Sequence, residues 1–183
     1  MKRALLILSE GFEEMEAIAP LDLLRRAGTQ VVAASTGPGL LVAGGRGVKI
    51  QADRLLDECL EDRFDMLILP GGPGVDRLRK DARVTGLVRK YHAEGVPIAA
   101  ICAAPVILAD AGIAREHELT SFPGVEAELR PKAKAYRHER VVVDGKVITS
   151  RGAGTAEEFA LALVDRLQGH AAAETVRSQI VAR

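Results

Sequence analysis

Four short apolar runs, spaced through the first hundred residues, restrict the possible fold most. Ala4–Leu8, Val31–Ala34, Met66–Leu69 and Pro97–Ile101 show no alternation of polar and apolar residues. A strand with one wet face alternates, whereas a strand covered on both faces reads as a continuous apolar run. Helix-like segments lie between and after these runs. Glu13–Ala27 is closed by Gly28 and carries Arg25 and Arg26 in its last turn, as a helix C-terminus prefers. Arg54–Asp62 reads as a short polar helix, Asp81–Glu94 as a helix closed by Gly95, and Ala104–Ala111 as one closed by Gly112. Strand–helix alternation of this kind predicts a doubly wound α/β domain, with a mostly parallel central sheet and helices on both faces. No linker, repeat or low-complexity segment interrupts it, so residues 1–183 are expected to form a single domain.

Smaller elements decorate this frame. Leu40–Val42 and Gly47–Ile50 flank Gly44-Gly45 as a small hairpin. Val141–Val143 and Val147–Thr149 flank Asp144-Gly145-Lys146, a stronger tight-turn signal. A well-patterned helix follows, with Phe159, Ala160, Leu163, Val164 and Leu167 on one face and Gly169 at its end. Thr155 and Glu158 have capping-box spacing at its start. A short final helix is expected around Val176 and Ile180.

Composition removes several function classes. Lys plus Arg and Asp plus Glu are 25 each, so no net charge draws the chain to nucleic acid or an anionic membrane. Four Phe, two Tyr and no Trp supply no stacking platform for bases. No stretch approaches the roughly 18 apolar residues of a membrane span, and the initial apolar run is too short for a signal peptide. Cys59 and Cys102 do not make a disulfide framework, and free thiols suit a reducing compartment. A cytoplasmic location is the expectation.

Ligands of doubly wound sheets bind beyond the carboxyl ends of the strands. Three loops lie there: Ser9–Glu16, Leu69–Gly74 and Ala100–Pro105. Cys102 follows a buried strand at once and precedes a helix, so its side chain would point out from the sheet edge, and a helix N-terminus would favour its thiolate. A free cysteine at that position serves equally well as a small buried hydrophobe. Cys59 sits among Asp57, Glu58, Glu61 and Asp62, which disfavour a thiolate. Gly71-Gly72 lets backbone N–H groups approach an anion and, with the N–H of Ala103, could form an oxyanion hole; it could also be a plain turn. Glu16 lies four residues before Pro20, which removes the hydrogen bond to the Glu16 carbonyl and should distort the helix there. Glu13, Glu14 and Glu16 also suit a helix start simply as acids. His92, His117, His138 and His170 are scattered, read as surface residues, and show no metal-site spacing.

Four segments together resemble the DJ-1 family of the DJ-1/ThiJ/PfpI superfamily. They are Gly11-Phe12-Glu13-Glu14-Met15-Glu16, Leu69-Pro70-Gly71-Gly72, Ala99–Pro105 with Cys102 at its centre, and Thr149–Thr155. The resemblance runs from Lys2 to about Val181, with the motifs in family order and spacing. It implies a flavodoxin-like α/β sandwich, a homodimer, Cys102 as the reactive and oxidisable cysteine, and Glu16 as its carboxylic-acid partner. Gly71, Gly72 and Ala103 match the family's backbone anion site. Arg46 matches an arginine near the pocket and dimer interface. Phe122, in Thr120-Ser121-Phe122-Pro123, stands where some relatives place a histidine, and bacterial members nearest DJ-1 also tend to carry an aromatic there. Ala103 replaces the histidine that follows the cysteine in the protease-like branch, which argues against proteolysis. The only His-x-Glu triplet, His92-Ala93-Glu94, lies upstream of Cys102, which argues against an amidotransferase triad.

The activity implied is glyoxalase- or deglycase-type chemistry on small 2-oxoaldehydes, without cofactor or metal, through a Cys102 thiolate and Glu16 acid–base transfer. The alternative implied by the same residues is a redox sensor or chaperone in which Cys102 is oxidised to sulfinate.

Overall fold

The computed structural model describes residues 1–182. In chain order the elements are β1 (Arg3–Leu8), α1 (Glu14–Arg26), β2 (Gln30–Ser35), β3 (Leu41–Ala43), β4 (Lys49–Gln51), β5 (Arg54–Leu55), β6 (Met66–Leu69), α2 (Val75–Lys80), α3 (Ala82–Ala93), β7 (Ile98–Ile101) and α4 (Val106–Asp110). They continue with β8 (Glu118–Leu119), α5 (Glu126–Leu129), β9 (Ala135–Tyr136), β10 (Val141–Asp144), β11 (Val147–Ser150), α6 (Ala156–Gln168) and α7 (His170–Gln179). A seven-stranded sheet runs β10-β11-β7-β6-β1-β2-β5. All its pairings are parallel except the β10–β11 hairpin. The four apolar runs fall on β1, β2, β6 and β7, side by side.

Strand side chains alternate between two apolar layers, which explains why the runs do not alternate in polarity. Leu5, Ile7, Leu67, Leu69, Ile98 and Ala100 pack with Leu78, Val84, Leu87, Val88 and Tyr91 of α2 and α3 on one face. Leu6, Leu8, Met66, Ile68, Ala99 and Ile101 pack with Leu24 of α1 and Phe159, Leu163 and Val164 of α6 on the other. Each such aliphatic side chain contributes about 1.5–3 kcal/mol on full burial. This is the flavodoxin-like arrangement the sequence implied.

Three local expectations are corrected. Arg54–Asp62 is not an α-helix: Arg54–Leu55 pairs with Ala34–Ser35 as the edge strand β5, and only Leu56–Cys59 turns, as a 3-10 helix. Leu56 and Cys59 are fully buried, and that tertiary burial overrides the polar helical pattern. The capping box also fails. Thr155 Oγ1 is engaged by Ser150 Oγ at 2.6 Å and by the Gly152 N–H at 3.1 Å, while Glu158 accepts from Arg140 Nε at 2.8 Å. Finally, α1 runs unbroken through the buried Pro20.

Candidate active site

The carboxyl ends of β1, β6, β7 and β11 deliver four loops to one point. From the first, α1 begins at Glu14, with Glu13 as its N-cap accepting from the Glu16 N–H at 2.9 Å. That bond fixes the first helical turn, so Glu16 is positioned by its cap rather than by a break at Pro20. Its side chain is wholly buried. From the second, the Gly71 N–H donates to Glu16 Oε2 at 2.9 Å. A Cβ on Gly71 would stand 2.6 Å from Cys102 Cβ and 2.6 Å from Glu16 Oε2, and only glycine leaves that space.

From the third loop comes Cys102, in the left-handed region at φ +66°. A non-glycine residue pays roughly 1–2 kcal/mol for that conformation. A neighbouring strand and a loop hold it there: the Cys102 N–H donates to the Ser150 carbonyl at 2.9 Å, and the Phe122 N–H donates to the Cys102 carbonyl at 2.7 Å. The expected thiolate-favouring helix does not follow directly. Ala103–Pro105 intervene before α4, which is five residues long. A helix dipole falls off within a turn and is weak in so short a helix. What favours the anion is local: the N–H groups of Gly72 and Ala103 are directed at the sulfur.

Gly71 therefore differs from its expected role in an anion hole. Its N–H is taken by Glu16, leaving Gly72 and Ala103 for the sulfur. Gly72 adopts φ +98°, and a Cβ there would lie 2.5 Å from the Glu13 nitrogen.

Burial pushes the Glu16 carboxyl up to about 7, with the Glu13 charge adding and the Cys102 and Gly71 hydrogen bonds opposing. Burial also pushes the Cys102 thiol up to about 12, reinforced by the charge of Glu16 and by the hydrogen bond between the two side chains. The Gly72 and Ala103 N–H groups act in the opposite direction. Burial is the larger cause and persists whatever the state of Glu16, while the part that comes from an ionised Glu16 disappears when Glu16 is protonated. Glu16 Oε1 is buried without a hydrogen-bond partner of ordinary geometry. A Cβ on Gly152 would lie 3.8 Å from Oε1 and 3.9 Å from the Cys102 Sγ, so both atoms border the same corner of the site.

A cavity of about 660 Å³ opens over this pair. Phe122 forms one wall and is 48% exposed. Arg46 stands exposed at the rim, its backbone N–H bound to Glu14 Oε1 at 2.6 Å. Arg140, Arg151 and Gly152 also line it and received no role from the sequence. For Arg151 and Gly152 the signal was the Thr149–Thr155 segment, whose chemistry is invisible until β11 is seen to lie beside β7, and Arg140 had none.

The pattern that defines the DJ-1/PfpI family matches residues 2–166. The chain belongs to the DJ-1/PfpI family. Drosophila melanogaster protein dj-1beta is 43% identical over 169 residues, spanning 92% of this chain and 90% of that protein. The crystal structure of Drosophila DJ-1beta superposes with a TM-score of 0.96 at 40% identity, covering 100% of this chain and 98% of that one. Toxoplasma gondii DJ-1, in a structure described as oxidized, gives 0.93 at 32% identity over 100% and 99% of the two chains. A Pyrococcus abyssi protein named a deglycase is 34% identical over 152 residues, 83% of this chain and 91% of its own.

Outside this DJ-1/PfpI cavity, the histidines are not all surface residues. His170 and His138 are largely exposed, but the His92 and His117 side chains are only 24% and 14% exposed. Their Nε2 atoms lie 3.1 Å apart. No residue spacing announces this, because the pair comes from two segments 25 residues apart. No described helix is long and apolar enough to cross a membrane.

Proposed function

We propose that this DJ-1/PfpI protein is a cofactor-independent enzyme for small 2-oxoaldehydes, with Cys102 as nucleophile and Glu16 as the proton carrier. The observation that carries it is a wholly buried carboxyl, raised to about 7, beside a cavity-facing thiol. A group titrating near neutrality can both take and return a proton. In the first step the Cys102 sulfur bonds to the aldehyde carbon. The thiol proton passes to Glu16 Oε1 and on to the carbonyl oxygen, giving a hemithioacetal. The Gly72 and Ala103 N–H groups stabilise the transient oxyanion. Glu16 then removes the proton from that carbon to form an enediol and returns it to the neighbouring carbon, leaving a thioester. Water cleaves the thioester to the 2-hydroxy acid and frees the thiol. The name of the Pyrococcus relative supports chemistry of this class.

Lactate formation from methylglyoxal without glutathione tests the reading. We expect turnover that falls to background in Cys102→Ser. Equal rates in the two proteins would overturn it.

One observation favours a second use of the same residues. The sulfur reaches solvent and has two backbone N–H groups directed at it, a setting that would hold a sulfinate. A redox-sensing or chaperone protein would then show Cys102 sulfinate at low peroxide and no lactate.

We further propose a homodimer formed across α1 and the β3–β4 hairpin. Met15, Ile18 and Val48 are 57%, 42% and 51% exposed there, beside Arg46 at the cavity rim. A second copy would cover them.

A further inference from the structure

At the sheet edge opposite Cys102, three segments converge around two imidazoles. His92 lies in the last turn of α3, His117 follows the 3-10 turn Ala114–Glu116, and Asp144 ends β10 at the hairpin tip. β7 and β11 both begin at this edge, since Val147 pairs with Ile98, whereas Cys102 lies past their far ends. The site is therefore separate from the cavity.

His92 Nε2 and His117 Nε2 are 3.1 Å apart, and Glu116 Oε2 is 3.6 Å from His92 Nε2. All three ligand atoms lie within 4.8 Å of one another. Two nitrogens bound tetrahedrally to zinc, each about 2.0–2.1 Å from the ion, stand roughly 3.3 Å apart. The imidazole pair already has that spacing. The rings meet edge to face at 86°, so their planes do not stack and both can aim a nitrogen at one point.

A second observation comes from the far side of His117. Its Nδ1 is buried, lacks a hydrogen-bond partner of ordinary geometry, and has Asp144 Oδ2 at 3.5 Å. Asp144 is fixed in turn, accepting from the Glu118 N–H at 2.9 Å. A carboxylate behind a histidine selects the tautomer with the proton on Nδ1, which leaves the Nε2 lone pair free. The His117 backbone is held as well, its N–H bound to the Ala114 carbonyl at 3.1 Å and its carbonyl accepting from the Lys134 N–H at 3.0 Å.

We propose that His92, His117 and Glu116 form a site for one divalent transition-metal ion of the zinc class, with Asp144 as the positioning residue behind His117. Imidazole and carboxylate donors suit zinc rather than calcium or magnesium. The protein supplies three ligands and water the fourth. A bound ion would clip the end of α3 to the turn before β8 and, through Asp144, to the β10–β11 hairpin. Without the ion, the same geometry is accounted for by an imidazole–imidazole hydrogen bond.

The test uses the full chain carrying Cys102→Ser, which removes the thiol of the cavity as a competing ligand. Zinc is titrated against a chromophoric chelator, and thermal unfolding is followed with and without zinc. We expect one zinc ion per chain and a zinc-dependent rise in Tm that is reversed by chelator. His92→Ala should weaken binding at least tenfold and abolish the rise in Tm. Asp144→Asn should weaken it by about 10–100-fold, the usual effect of losing such a partner. Glu116 is mostly exposed, so Glu116→Gln keeps the fold and should weaken binding measurably. Absence of stoichiometric binding, or binding undiminished in both His92→Ala and Glu116→Gln, overturns the proposal in favour of the hydrogen-bonded pair.

Discussion

The backbone N–H of Gly71 donates to Oε2 of Glu16 at 2.9 Å, so a proton taken up by that carboxyl sits on Oε1. Oε1 and the Cys102 sulfur border the same corner of the site, since a Cβ on Gly152 would lie within 4 Å of both. A main-chain donor thus leaves Oε1 as the oxygen open to proton exchange in the proposed reaction, without a second side chain in the site.

Glu16→Gln keeps the shape of the site and removes its charge. The Cys102 thiol should then titrate lower by about 1–3 pH units, the usual effect of removing a like charge at short range. Ultraviolet absorbance of the thiolate against pH reads this directly. Turnover of methylglyoxal should fall by about 10²–10⁴, because the amide carries no proton between carbons. An unchanged titration would show that Glu16 is not coupled to Cys102.

Glu16 also makes stability depend on pH. Its carboxyl titrates at about 7 when folded, against 4.5 in the ordinary case. Between those values the folded chain holds the extra proton, so stability falls as pH rises from 4.5 to 7. The loss is on the order of 3 kcal/mol across the window. Asp81 and Glu128 are held below the usual range by Arg83 and Arg79, so their contribution is lost only at more acid pH. Urea unfolding at several pH values should show the slope in the parent chain and a flatter one in Glu16→Gln.

Gly71→Ala should be harmful out of proportion to one methyl group. Its Cβ would also approach the Ile101 carbonyl oxygen to 2.8 Å, so strand and side chains are crowded together. We expect a cost of about 1–3 kcal/mol and near-complete loss of turnover. Gly86→Ala in α3, where nothing lies within 4 Å, is the control. It should raise stability by about 0.5–1 kcal/mol. Calorimetry of the two variants makes the comparison.

Iodoacetamide should modify Cys102 long before Cys59. Burial raises both thiols, so access decides: Cys102 lines the cavity, whereas Cys59 is 0% exposed. Peptide mapping after brief exposure gives the order, and early labelling of Cys59 would contradict it.

Met15→Glu places a charge in the proposed contact between copies. Sedimentation should show the parent chain at twice 19.5 kDa and the variant at the monomer mass. A monomeric parent would remove the dimer.

The sheet was legible because β1, β2, β6 and β7 are covered on both faces, and that leaves a direct trace in hydropathy. The hairpin around Gly145 was legible from turn chemistry alone. Residues 113–138 were not, because β8, β9 and the short turns between them are two to four residues long and are held by contacts to distant segments. Thr155 misled for a related reason: its hydroxyl fits a capping box locally but is claimed by Ser150. In the site, Cys102 stood out because strand gives way to turn at that residue. Pattern alone left Glu16 open, since what distinguishes it from Glu13 and Glu14 is burial against Gly71, a contact 55 residues away.

β7, which leads directly into Cys102, lies between β6, made earlier in the chain, and β11, made much later. The left-handed turn at Cys102 is closed by the Ser150 carbonyl. During synthesis, a chain that has emerged only as far as α4 therefore has its cysteine but not the strand that fixes it. Pairings so distant in sequence form late in folding. The backbone geometry at Cys102 is therefore completed only after Ser150 has left the ribosome and β11 has docked, so a chain that stops short of β11 would lack the left-handed turn.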